Sequence, residues 1–323
     1  MFRKISAIVV PTVIAVGIIA YMFFNVKDQL FLALQHVTPG YLLVAIGICL
    51  LAWWLRGWRY HVILKGLNYR VSVTVSTACV FVSQTANLVI PARLGDFVRV
   101  FILKHEYNTT YSEGVSSLVV ERVFDIITVA LLGGISLFFV LNAPSWVYTL
   151  VLVPLAAGII FFIFLRCTGN CTSENKYIGI FLTMLHEIER ASLSLRSLFV
   201  LGASSIVIWL LDIFVCVAVI RMFQQEIPFA VVVLAIVIGN LVKAVPITPG
   251  GIGPYEYVVS GVFQLAGVAP AFAFLIAVID HLIKNLVTLA GGIVSIYFFG
   301  DWVIPSIKSA LNSKLSGGKE PEH

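Results

Sequence analysis

Ten ionisable side chains lie in or beside stretches too apolar for ordinary surface charges: Arg93, Asp96, Arg99, Glu121, Arg122, Asp125, Lys243, Glu256, Asp280 and Lys284. A guanidinium is an always-charged, two-pronged donor that matches a phosphate, so Arg93, Arg99 and Arg122 suit a phosphate-bearing headgroup. A structural reading stands beside that one. Glu121, Asp125 or Asp96 would neutralise Arg122 in a plain ion pair, and Arg93 and Arg99 would snorkel to the interface. Glu121 and Asp125 are four apart and share a helix face, where they would hold a proton between them or accept a cationic headgroup such as a lysyl ester. Asp280 and Lys284 have the same spacing and read as a pair. His281 beside them is the candidate for proton coupling, against the commoner reading of a hydrogen-bonded helix histidine. Lys243 and Asp212 either line a path or pair with each other.

The segments that must position these residues are membrane spans. Of 323 residues, 60% are hydrophobic and only 11% charged, which excludes a water-soluble globular fold. The mean hydropathy is +1.01. Six stretches are apolar over the roughly 20 residues needed to cross a bilayer. They are Ile5–Phe24, Tyr41–Leu64, Val115–Leu141, Trp146–Leu165, Leu198–Ile220 and Ala271–Phe299. The first is too long for a signal-peptide core and reads as a retained helix. Two further regions, Val71–Leu103 and Pro228–Ala266, are apolar but broken. The breaks fall at Pro91 to Asp96 and at Pro246 to Pro254, the latter holding Pro249, Gly250, Gly251 and Gly253. Proline removes a donor and glycine frees the backbone, so neither region continues as one helix. Non-helical backbone at membrane depth survives only inside protein or along a wet cavity. Both regions therefore read as re-entrant hairpins. Pro91 and Gly95 play the hinge part in the first; the glycines of the second offer backbone N–H groups and a positive helix end to a phosphate.

With the N-terminus in the cytoplasm, sixteen of 21 basic residues fall inside, Arg56, Arg59, Arg93 and Arg99 among them, and only Lys27 and Arg221 outside. That bias predicts a multi-pass protein of the plasma membrane with both termini cytoplasmic, and it accounts for the net charge of +5 without nucleic acid. The same count results if each hairpin is a pair of full spans.

The chain also repeats itself. Asn87-Leu88-Val89 and Asn240-Leu241-Val242 precede the two breaks, and an acidic residue follows a glycine after each, at Asp96 and Glu256. Glu121-Arg122 with Asp125 and Asp280-His281 with Lys284 then stand before Gly133-Gly134 and Gly291-Gly292. The offsets are 153, 159 and 158 residues. Three crossings per copy invert the second copy. The fold class is thus an all-α polytopic membrane protein, with about six transmembrane helices plus two re-entrant helical hairpins as an inverted repeat. Residues 1–144 form the first repeat, 145–303 the second (with a cytoplasmic amphipathic segment at 174–196), and 304–323 a cytoplasmic tail. Inverted repeats with broken segments in matching positions are the architecture of secondary transporters.

Pro91-x-Arg93-x-Gly95-Asp96-x-x-Arg99, Glu121-Arg122-x-x-Asp125 and Pro246-x-x-Pro249-Gly250-Gly251-x-Gly253-x-x-Glu256 resemble the lysylphosphatidylglycerol synthase transmembrane family. That family includes the flippase domain of the multiple peptide resistance factor and stand-alone membrane proteins of the UPF0104 type. In bifunctional members a soluble transferase domain follows the membrane part; here about two dozen residues follow the last span. The resemblance therefore implies lipid translocation rather than lipid synthesis. The alternatives are a membrane-embedded lipid-modifying enzyme and a non-transporting scaffold for a separate synthase. Membrane lipids are the expected partners, with a second copy of the chain or a separate lipid synthase as candidate protein partners.

No G-x-x-x-x-G-K-[ST], H-E-x-x-H or G-x-S-x-G pattern is present, so neither ATP drive nor an enzyme is expected, and no cofactor or metal. Cys49, Cys79 and Cys216 read as packing residues, and Cys167 and Cys171 as a poor zinc signal. Trp53, Trp54, Trp58, Tyr60 and Trp302 read as interfacial anchors. Both glycosylation sequons, at Asn108 and Asn170, fall on the cytoplasmic side and are expected unmodified.

Overall fold

The computed structural model describes residues 2–35, 37–90, 93–140, 144–168, 175–245 and 248–299. Pro91, Asn170, Cys171, Trp302 and the 304–323 tail lie outside them. The described residues form eleven α-helices and no strand. They are α1 (Phe2–Leu34), α2 (Gly40–Gly66), α3 (Val73–Val89), α4 (Asp96–Tyr107), α5 (Tyr111–Leu137), α6 (Ser145–Thr168), α7 (Lys176–Ser192), α8 (Leu195–Met222), α9 (Phe229–Ala244), α10 (Pro254–Leu265) and α11 (Pro270–Phe299). Ser72, Thr110, Asn175 and Ser194 cap four of them with side-chain oxygens on first-turn N–H groups.

Five helices are long and apolar enough to cross a membrane: α1 over Thr12–Leu30, α2, α6, α8 and α11. The sixth predicted span is the 27-residue α5, which has the length but carries Glu121, Arg122 and Asp125 in its middle. Glu121 is 4% exposed, so this helix hides charge inside the bundle.

Each interrupted region is a long arm, a break and a short arm. The first arms, α3 and α9, have 17 and 16 residues, and the second arms, α4 and α10, have 12 each. At 1.5 Å per residue these are about 25 Å and about 18 Å, short of a hydrocarbon core of about 30 Å. The two arms of each region pack on one another. The first arms stop for the same local reason. Ile90 (φ −91°, ψ 119°) and Val245 (φ −79°, ψ 115°) each precede a proline, whose ring clashes with a helical neighbour and forces it to extend. The second arms restart at a glycine: Gly95 before α4, and Gly253, at φ 95°, before α10. Gly95 lies so close to α3 that a Cβ there would sit 2.5 Å from the Asn87 backbone nitrogen. Backbone cannot yield as a side-chain tip can, so Gly95→Ala is expected to cost about 1–3 kcal/mol, read as a lowered melting temperature in detergent.

Several helix contacts correspond between the two halves of the chain. When α1–α5 are exchanged for α6, α8, α9, α10 and α11, α2·α8 maps onto itself and α3·α11 onto α5·α9. Likewise α1·α11 maps onto α5·α6, and α2·α11 onto α5·α8. The glycine pairs explain the α3·α11 and α5·α9 approaches. A Cβ on Gly291 or Gly292 would strike Phe81 or Thr85 of α3, and one on Gly133 would strike Val237 of α9. Small residues let helix backbones approach where lipid supplies no hydrophobic drive.

Helix α7 is amphipathic. Leu185, Ile188 and Ala191 are buried against the bundle, whereas Tyr177, Ile180 and Phe181 are exposed. Glu187 accepts from Ser112 and Ser116 of α5, which anchors the C-terminal half alone. Among the aromatic residues read as anchors, Trp54 is exposed, but Trp53 and Tyr60 are interior. Trp53 stacks on Phe81 with ring centroids 4.8 Å apart, and the Tyr60 hydroxyl meets Ser117 Oγ at 3.0 Å. Burial is what α2·α3 and α2·α5 packing does to one face of a helix whose other face is free. Cys49, Cys79 and Cys216 are buried, as packing residues should be.

Candidate functional site

A cavity of about 230 Å³ lies between the two sets of helices, walled by α2, α3, α5, α8, α9 and α11 and bordered by Arg93, Thr248, Gly250 and Gly251 of the two breaks. The breaks touch. A Cβ on Gly250 would stand 3.1 Å from Leu88 Cδ2, and Arg93 Nη2 donates to the Lys243 carbonyl at 3.4 Å. Arg93 itself is left-handed (φ 54°), a conformation uncommon for a residue with a Cβ and held only where the surroundings demand it.

On the first-half wall Asp96 is the hub. It accepts from Arg122 at 2.7 Å, Asn87 Nδ2 at 2.9 Å and Gln84 Nε2 at 3.1 Å. Arg99, fully buried, donates to Glu121 at 2.5 Å and lies 4.3 Å above the Tyr60 ring centroid. Arg59, 1% exposed, binds both Asp125 oxygens at 2.7 and 3.2 Å and also donates to Ser205 Oγ on α8. Trp209 Nε1 completes Asp125 at 3.1 Å. Arg56 joins Asp212 of α8 at 2.5 Å.

The second half repeats the scheme with different residues. Glu256 accepts from the Gly253 N–H at 2.7 Å and sits 2.6 Å from His281 Nδ1, as Asp96 sits against Arg122. Asp280 accepts from Tyr255 at 2.8 Å and from Lys284 at 2.8 Å. Lys243 Nζ lies 3.0 Å from His281 Nε2. An ammonium can only donate, so Nε2 is the acceptor and the ring proton is on Nδ1, facing Glu256. With Lys243 as an ammonium, His281 bridges the Glu256 carboxylate to this cavity-lining lysine.

Of the ten sequence-predicted charged residues, Arg93, Glu121, Arg122, Asp125, Lys243 and Lys284 line this cavity, and Asp96, Arg99, Glu256 and Asp280 stand behind it. Arg122 pairs with Asp96 rather than with its chain neighbours, and Asp280 with Lys284 as expected. Lys243 and Asp212 do not pair; each has another partner. Arg99 does not snorkel, being sealed inside by α2, α4 and α5. Glu121 and Asp125 do not form a shared-proton pair, because separate guanidiniums hold them. The starts of α4 and α10 do not present a free positive end to the cavity, since Asp96 and Glu256 already occupy them.

Residues 8–292 match the family described as "Lysylphosphatidylglycerol synthase TM region". The chain belongs to that family. It is 32% identical over 306 residues to "Glycosyltransferase AglD" of Haloferax volcanii, covering 80% of this chain and 49% of AglD. The chain thus spans about half the length of that relative. A UPF0104 membrane protein of Methanothermobacter thermautotrophicus is 26% identical, over 92% of this chain and 95% of its own. Another, from Methanocaldococcus jannaschii, is 26% identical over 65% of this chain and 92% of its own. No solved structure matches. Membership and the apolar helices together make this a multi-pass membrane protein.

Sequence reasoning missed Arg56 and Arg59, which it placed in the cytoplasm. They sit ten and seven residues before the end of α2, about 15 Å and about 10 Å inside the helix. That depth was the available signal. Removing Arg56, Arg59, Arg93 and Arg99 from the cytoplasmic tally leaves twelve against two, still strongly biased. Trp209, Thr248 and Asn285 were also missed; they are cavity-lining residues outside the repeated motifs.

Proposed function

We propose that the chain is a lipid translocase that moves a phosphate-bearing lipid between the leaflets of the cell membrane. An aminoacylated phospholipid and a polyprenyl-linked lipid are the two candidate cargoes. In this reading six spans hold two re-entrant hairpins that enter from opposite leaflets, with both chain termini in the cytoplasm. The carrying observation is the charged cavity between two sets of helices with matching contacts, closed where the Gly250 and Leu88 tips meet. A headgroup would lodge there while its tails stay in the bilayer, and rocking one set against the other would part the tips on alternate sides.

The name of AglD favours a second reading, an enzyme acting on a membrane lipid. The carboxylates of this chain speak against it: Glu121 and Asp125 are engaged by arginines, and His281 is enclosed between Glu256 and Lys243. The purified protein in liposomes separates the two. Fluorescent phosphatidylglycerol in the inner leaflet should become accessible to an external quencher and be recovered chemically unchanged. Arg122→Gln should slow this about tenfold, the loss of one charge-assisted hydrogen bond. A modified lipid would establish the enzyme, and no movement of any phospholipid or polyprenyl phosphate would end the translocase reading.

A further inference from the structure

Six carboxylates and seven cations surround the cavity, counting the groups immediately behind its wall. Asp96, Glu121, Asp125, Asp212, Glu256 and Asp280 face Arg56, Arg59, Arg93, Arg99, Arg122, Lys243 and Lys284. Among the described residues, five of the cations have a carboxylate within 4.0 Å, whereas Arg93 and Lys243 have none. Arg93 donates to a backbone carbonyl, and Lys243 meets His281 Nε2 and the face of the Tyr255 ring. Arg93 comes from the first break and Lys243 from the last turn of α9, just before the second, and they are joined through the Arg93 contact with the Lys243 carbonyl.

A third group points the same way. Thr248, 6% exposed and lining this cavity, has a buried hydroxyl oxygen with no hydrogen-bond partner among the described residues. A buried unsatisfied hydroxyl is costly and calls for a ligand atom. Gly251 keeps the site open: a Cβ there would stand 2.6 Å from Lys243 Cγ and displace the lysine stem.

From this we infer that Arg93, Lys243 and Thr248 form an anion subsite for a headgroup phosphate, and that the cavity selects a lipid of net negative charge over its aminoacylated, cationic form. The physical reason is the surplus cation. A phosphodiester with one negative charge neutralises the cluster, whereas a lysyl ester of the same lipid adds a positive charge to a site whose carboxylates are all engaged. Unpaired like charges at low dielectric repel strongly. The inference rests on the translocase reading for its cargo and narrows it to anionic lipids, a phosphatidylglycerol or a polyprenyl phosphate.

The test is binding to the full chain in nanodiscs of phosphatidylcholine. Short-chain phosphatidylglycerol, its lysyl ester and inorganic phosphate are titrated in turn. Phosphatidylglycerol should bind about tenfold or more tightly than the lysyl ester, the scale of one charge-assisted contact. Arg93→Gln with Lys243→Gln should abolish the preference, and Thr248→Val should weaken phosphatidylglycerol binding several-fold while the melting temperature holds. Equal or tighter binding of the lysyl ester overturns the inference. So does inorganic phosphate binding as tightly as the lipid, which would make this a site for the free ion. The two proposals fail separately: preference without movement in liposomes sinks the translocase alone, and movement without preference sinks the anion subsite alone.

Discussion

Replacing Arg99 with methionine is expected to lower the unfolding free energy by about 3–5 kcal/mol, the usual cost of stranding one member of a buried ion pair. Arg99 has no solvent exposure, donates to Glu121 at 2.5 Å and lies over Tyr60. Without it Glu121 keeps only Arg59, at 3.6 Å, and Arg59 is already committed to Asp125. Water cannot compensate a carboxylate that is 4% exposed. The double replacement Arg99→Met with Glu121→Gln removes both charges together and should recover most of the loss. A denaturant titration of the four proteins in mixed micelles measures the coupling. Additive single effects would mean that the pair does not hold α4 to α5.

Glu256→Gln is expected to slow lipid movement by about tenfold to a hundredfold while costing only about 1–3 kcal/mol of stability. Glu256 is an acceptor on both sides, from the Gly253 N–H and from His281 Nδ1. An amide has one acceptor end and one donor end. With its oxygen toward Gly253, its NH2 meets Nδ1, the ring proton moves to Nε2, and Nε2–H then faces the Lys243 ammonium 3.0 Å away. With the amide reversed, two N–H groups collide at Gly253. In either orientation the lysine is disturbed or the hairpin loses its cap, although the side chain is nearly isosteric. Unchanged transport in liposomes would remove the Glu256–His281–Lys243 chain from the mechanism.

The same residues show how far a sequence can be read here. The prolines after Ile90 and Val245 act on their immediate neighbours, so both breaks were legible, as was the helix count within the apolar stretches. The nearly constant offset of Asp96 and Glu256, and of Glu121-Arg122 and Asp280-His281, was legible too, and several helix contacts correspond between the two halves. Partner choice between helices was not legible. Asp96 takes Arg122 from 26 residues away and Arg59 takes Asp125 from 66 away, and no local rule specifies such pairs. Arg56 and Arg59 were misplaced because a charge near a span end looks the same whether it faces water or another helix.

Composition, proline and glycine placement, and the spacing of charges determined by themselves that this is a helical membrane protein with two broken segments. Those properties depend on each residue and its near neighbours in the chain. Only the tertiary structure decided which charges cancel, because cancellation depends on how α2, α5, α8 and α11 are brought together around one cavity. Among the described residues that assembly leaves Arg93 and Lys243 without a carboxylate partner, and the proposed subsite takes its sign from them.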